Sequence, residues 1–123
     1  MISNRMQGAT STFLLHPASA ANTAAATSAW TQVKGDGDAL IVAMTGAVTG
    51  TIAWTVETAS DGSGTGAVAI TPSDGAFSAG AADQTQHRSI KVSSTLGYIR
   101  IVGTIGTGPS ICGACVLWMD KNP

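Results

Sequence analysis

Residues 40–62, LIVAMTGAVTGTIAWTVETASDG, restrict the fold more than any other stretch of this chain. Ile52, Trp54 and Val56 alternate with Ala53, Thr55 and Glu57, the period-two pattern of a strand with one face in a core. Ahead of them, Leu40 to Met44 is apolar at every position, the pattern of a central strand covered on both faces. The intervening TGAVTG carries two glycines, and Ser60-Asp61-Gly62 follows the second run. The stretch therefore predicts a β-hairpin: a strand, a Gly-marked turn, a second strand and a closing turn.

Similar signals recur on both sides. Residues 30–34 read as a strand with Trp30, Gln32 and Lys34 on one face and Val33 on the other, followed by a Gly-Asp-Gly-Asp turn. Residues 67–71 form a short strand stopped by Pro72, Ser73-Asp74-Gly75 repeats the earlier turn, and residues 80–86 read as a polar loop. Residues 88–93 alternate with Ile90 and Val92 inward. Residues 98–105 place Ile99, Ile101 and Ile105 inward and Tyr98, Arg100 and Val102 outward. Residues 111–119 are apolar on both faces. Seven to nine short strands, with turn signals every 8–12 residues, define an all-β chain: a single β-sandwich, or a small jelly-roll or immunoglobulin-like barrel.

Residues 1–29 read as an N-terminal arm, and residues 30–123 as the sandwich. The first ten residues are polar and mixed, and residues 11–16 make a short strand with Phe13 and Leu15 on one face, ended by Pro17. The following ASAANTAAATSA has no Leu, Ile or Phe stripe with which a helix would dock. It is expected to be extended, with a short helix as the alternative.

Composition excludes several function classes. Charged residues make up 11% of the chain, against about 25% in an average domain. Ser, Thr, Gly, Asn and Gln must therefore cover the surface, and weak charge repulsion points to part of it being covered by a partner. The six Lys and Arg are scattered along the chain, and only Arg88 and Lys91 lie close together, so a nucleic-acid footprint is not expected. No apolar run approaches the ~18 residues of a membrane helix. The patch at residues 13–15 is broken by His16-Pro17 and is too short for a signal peptide, so the chain is expected to be made and kept in a cytoplasm.

Catalytic patterns are missing. Cys112 and Cys115 are spaced as CxxC, but within a strand positions i and i+3 face opposite ways, so free thiols are expected rather than a redox pair or a metal site. The Asp-Gly pairs read as turns rather than Ca²⁺ loops. Glu57 is the one acidic residue on a regular strand, no GxSxG occurs, and the Gly-rich loops lack the Lys of a phosphate cradle. Neither an enzyme nor a cofactor-binding protein is expected. Trp54 reads as core and Trp30 as half-exposed. Trp118 shares a face with Ala114 and Val116, opposite Leu117 and Met119; one of these faces is core and the other faces a partner or the arm.

The order of these signals resembles the small β-sandwich virion structural proteins of tailed bacteriophages. The matching features are a G-x-[VI]-x-G-T turn at residues 46–51, a strand ending in Glu at residues 52–57, a Ser/Asp/Gly turn at residues 60–62 and an aromatic-Ile-Arg strand at residues 98–100. The match runs from Asp38 to Trp118, and Gly64-Thr65-Gly66 stands where a Trp often follows the turn. The resemblance implies a capsid decoration (cement) protein, bound to the major capsid protein on the outer shell between capsomers. It also implies a homo-oligomer, a trimer more than a dimer, with no nucleic-acid or membrane partner. Candidate contacts are Arg5, Phe13, Leu15, Trp30, Tyr98, Arg100, Trp118 and Met119. On this reading the arm reaches a neighbouring subunit, and its deletion abolishes binding while the sandwich stays folded. The alternative is a carbohydrate-binding or adhesin-like sandwich of a phage fibre or tail, with Trp30 or Tyr98 as its stacking platform.

Overall fold

The computed structural model describes residues 9–20, 25–34, 37–106 and 109–119. Two antiparallel sheets pack face to face as a β-sandwich, the architecture expected from the turn spacing. Its strands are β1 (Ala9–Ala20), β2 (Ala25–Thr27), β3 (Thr31–Gln32), β4 (Asp38–Val48), β5 (Ile52–Ala59), β6 (Val68–Ile70), β7 (Thr85–Lys91), β8 (Tyr98–Ile105) and β9 (Ser110–Met119). The first sheet runs β1-β9-β4-β7. The second runs β2-β8-β5-β6, with β3 also paired to β8. The strand predicted at residues 30–34 is reduced to β3, and the loop predicted to reach residue 86 gives way to β7 at Thr85.

The expected hairpin over residues 40–62 does not form. β4 pairs with β7 and β9, whereas β5 pairs with β6 and β8, so residues 49–51 carry the chain from one sheet to the other. Alternation in a sequence reports which face is buried but not which strand lies alongside. Here the buried faces of β4 (Ala39, Ile41, Ala43) and β5 (Ile52, Trp54, Val56) join one core. The hairpin is instead β5–β6, joined by the loop of residues 60–67 that opens with the Ser60-Asp61-Gly62 turn.

That core is aliphatic. Ile41, Ile52, Ile99 and Ile101 are fully buried, with Val56, Ile90, Ile105 and Val116 at 2% exposure or less. Each contributes about 1.5–3 kcal/mol by leaving water. Among the described residues, Trp54, at 6% exposure, is the one large aromatic side chain buried in the core, as expected. Two buried hydroxyls stitch loops to strands. Thr58 Oγ1 donates to the Tyr98 carbonyl at 2.8 Å and accepts from the Leu96 N–H at 2.8 Å. Thr45 Oγ1 donates to the Ala81 carbonyl and accepts from the Gln84 N–H at 3.0 Å.

The N-terminal stretch is extended, but its described part is paired rather than free. β1 lies along β9 from Ala9↔Met119 to Ala20↔Ser110 and runs past Pro17 instead of ending there. Register shifts between Phe13 and Leu15 and between Leu15 and Ala18 accommodate this, because bulges on an edge strand tolerate a residue without an N–H. Leu14 is buried in the core. β2 continues the second sheet beside β8, and the Ser28 N–H donates to the Ile101 carbonyl at 3.0 Å.

The edge at β7 is closed by residues 73–78. The Ser73 N–H donates to the Ser89 carbonyl at 2.8 Å, and the Ser89 N–H donates to Asp74 Oδ1 at 3.0 Å. Gln86 bonds both backbone groups of Ser78, at 3.0 and 3.1 Å. The second Ser-Asp-Gly turn thus blunts a sheet edge that would otherwise offer unpaired backbone groups.

Candidate partner-binding surface

The outer face of the second sheet is where three of the proposed contact residues meet. β5 and β8 pair in a register that sets Glu57 opposite Arg100. Directly opposed residues share a face, and here they form an ion pair: Arg100 Nε donates to Glu57 Oε1 at 2.7 Å. Both side chains stay about one-quarter exposed, so the pair itself stabilises the fold by no more than about 1 kcal/mol. The Arg100 guanidinium also lies over the Trp30 indole, 4.5 Å from the ring centroid. Such a contact adds about 0.5–2 kcal/mol and fixes the planes of both groups.

The first Ser-Asp-Gly turn builds the floor of this cluster. Asp61 Oδ1 accepts the N–H groups of Ser63 (2.9 Å) and Thr65 (3.1 Å), and Oδ2 accepts the Thr65 hydroxyl at 2.6 Å. Gly64 then adopts a φ of +86°, and a Cβ there would stand 2.8 Å from Trp30 Nε1. Only glycine both takes that conformation without strain and lets the indole rest on the backbone. Tyr98 lies at the same end of the sheet: a Cβ on Gly62 would be 3.7 Å from its ring.

The hydrogen bonds from Thr65 and Ser63 hold the Asp61 carboxyl below its ordinary value of 3.8. A carboxyl whose folded pKa is depressed stabilises the fold at pH above its unfolded pKa, and that contribution disappears as pH falls through the folded pKa. The indole N–H resonance of Trp30 is therefore expected to move in a titration below pH 3.8. In Asp61→Asn that step is expected to be absent. NMR titration of both proteins checks this, and a Trp30 signal that ignores low pH contradicts the role given to the turn.

The remaining proposed contacts lie elsewhere. Trp118 is half-buried on the core side of β9, opposite Ala39 and packed against the core, so it belongs mainly to the fold. Phe13, Leu15 and Met119 stand on the first sheet, at register positions opposite Cys115, Ala114 and Ala9. Arg5 lies outside the described residues. The cluster does not present Trp30 as an open platform, since Arg100 covers one ring face and Gly64 meets the indole edge. Two members, Glu57 and Gly64, were absent from the contacts read from the sequence. The single Glu on a regular strand was a signal for the first, but the second becomes visible only when Trp30 is placed.

The first sheet corrects another expectation. Among the described residues only one face of β4 is covered: Ala39, Ile41 and Ala43 are buried, while Leu40, Val42 and Met44 are half-buried on the opposite face. In β9 Cys112, Ala114 and Val116 are buried, with Cys115 and Leu117 half-buried on the outer side. The two thiols are free and face opposite ways, as the CxxC spacing in a strand implies, and burial pushes both upward in pKa.

Two other features complete the surface. A cleft of about 180 Å³ beside β6 is lined by Trp54, Val56, Ile70, Pro72 and Phe77, with no titratable side chain in its wall. No group of three or more His, Cys, Asp or Glu comes together among the described residues. The chain matches no family model and no curated protein.

Proposed function

We propose that the chain is a non-enzymatic structural protein of a tailed-bacteriophage virion, of the capsid decoration type. On this reading it is made in the host cytoplasm and attaches to the major capsid protein on the outer shell through the Trp30–Arg100 cluster. One observation carries the proposal: segments that resemble the family but lie far apart in sequence converge in space. The strand ending in Glu57 pairs with the strand carrying Tyr98 and Arg100, and the turn held by Asp61 sets Gly64 against Trp30, whose ring lies under Arg100. A preorganised Trp and Arg pair is the chemistry that concentrates binding energy at protein interfaces. No cofactor or bond-making step is required.

Stabilisation follows from mass action. A ligand that binds the assembled shell but not its separated subunits raises shell stability by RT ln(1 + [L]/Kd), about 2.7 kcal/mol at a hundredfold excess over Kd. Repetition over many sites multiplies the effect for the particle. Co-sedimentation of the protein with shells of the phage whose genome encodes it tests the site. Wild type is expected to bind saturably. Arg100→Glu and Trp30→Ala are expected to bind at least about tenfold more weakly, a loss of at least ~1.4 kcal/mol. Arg100→Met separates folding from binding, since losing the exposed ion pair and the ring contact lowers fold stability by at most about 3 kcal/mol. Equal binding by wild type and both site variants contradicts the assignment.

A further inference from the structure

We infer that the outer face of the first sheet is a self-association surface, covered by the same face of a second copy of this chain. The two outer faces of the sandwich differ in kind. On the second sheet, Thr55, Glu57, Arg100 and Thr104 make a polar, charge-bearing surface. On the first sheet, the β4–β9 register sets Leu40 opposite Leu117 and Val42 opposite Cys115, with Met44 beside Gly113. These side chains form a half-buried apolar stripe at the centre of the sheet, and no described element crosses it. The β7 residues flanking the stripe, Thr85, His87 and Ser89, carry no carboxylate, lysine or arginine, and the charged residues on the same side, Asp38 and Lys91, stand opposite one another at one end of the sheet.

Charge and area select the occupant. The central stripe carries no charge, and the rim beside it supplies one charge of each sign, Asp38 and Lys91, so the face has no excess charge to repel a second copy set against it. A two-fold axis lets one patch serve as both halves of the interface. Four strands about 4.8 Å apart and about ten residues long give a face on the order of 600 Å². That is comparable with the ~800 Å² each partner contributes to a standard interface. Stacked sheets separated by ~10 Å are already the packing inside each sandwich. The pair is a dimer rather than the trimer favoured by the family resemblance. It leaves the Trp30–Arg100 cluster uncovered, so this inference and the function proposed above fail independently.

Cys115 sits within the stripe, and Cys112 faces the core, which gives a native probe and an internal control. Thiol labelling of the wild-type protein across a dilution series, read by intact and peptide mass, is expected to show Cys115 reacting at least tenfold faster at the lowest concentration than at the highest. Cys112 is expected to stay slow throughout. Native mass over the same range is expected to move from dimer to monomer. Val42→Glu and Leu117→Glu are each expected to be monomeric at concentrations where wild type is dimeric, with far-UV circular dichroism reporting that they remain folded. A wild-type monomer at every concentration overturns the inference. So does slow Cys115 labelling in a monomer, which assigns the face to another segment of the same chain. An oligomer whose Cys115 labelling is insensitive to dilution or to its mass overturns it too, by placing the contact elsewhere.

Discussion

Replacing Gly103 by alanine is expected to lower the melting temperature by roughly 10 °C, a loss of about 2–3 kcal/mol. Gly103 lies on β8 opposite Trp54 of β5, with its buried backbone under the indole. A Cβ at this position would stand 2.8 Å from Trp54 Cζ3, 3.1 Å from Cε3 and 3.2 Å from Ile52 Cγ2. Trp54 is 6% exposed and packed with Ile52 and Val56 in the aliphatic core, so it can yield only by shifting toward the cleft beside β6. One methyl group therefore forces the largest core side chain off its rotamer or opens the β5–β8 ladder. A double-mutant cycle isolates the clash. In a Trp54→Leu background the alanine penalty is expected to shrink to about 1 kcal/mol or less, because the two nearest atoms it strikes are gone and only the Ile52 contact remains. Thermal unfolding of the four proteins measures this, and a Gly103→Ala melting curve that overlays wild type refutes the close approach.

Removing residues 1–20 is expected to abolish cooperative folding, or to lower the melting temperature by more than about 15 °C. β1 is hydrogen-bonded along β9 from Ala9 to Ala20, and Leu14 is 5% exposed within the core. Deletion strips that side chain away and turns β9, with its apolar outer residues, into an open edge. Loss of the Leu14 side chain alone, in Leu14→Ala, is expected to remove about 2–5 kcal/mol. The rest of the deletion effect comes from the unpaired ladder and should appear as faster hydrogen exchange in β9. A truncated chain that melts like the full one would make this strand the detachable arm anticipated from sequence. The consequence is practical: such a truncation cannot separate shell binding from folding, whereas Arg100→Glu can.

The sandwich was legible because alternation survives without any partner strand in view. Ile52, Trp54 and Val56, and likewise Ile99, Ile101 and Ile105, face the core as their spacing predicts. Pairing was not legible in the same way. β4 and β5 each declare a buried face, but that is equally compatible with lying side by side or crossing the core, and the chain does the latter. Leu40 to Met44 misled for a related reason. A continuous apolar run signals two faces away from water, but it does not distinguish cover by the same chain from cover by another molecule.

The candidate Trp30–Arg100 cluster was half legible. Tyr98 and Arg100 could be placed outward from the β8 pattern, and Trp30 read as half-exposed. Their convergence depends on a long-range register, Glu57↔Arg100, and on a turn that puts Gly64 under the indole. Nothing local to Trp30 predicts either. β1 was read too short because Pro17 normally ends a strand, and the two bulges that carry β1 past it leave no mark in the sequence.

The claim that matters most is that the chain binds an assembled shell and stabilises it. Under the proposed function, differential scanning calorimetry of expanded shells of the cognate phage, with and without saturating protein, is the decisive measurement. The shell transition is expected to rise with protein concentration for wild type and to stay unmoved with Arg100→Glu at the same concentration. A shell transition unchanged by saturating wild-type protein would contradict the proposed function.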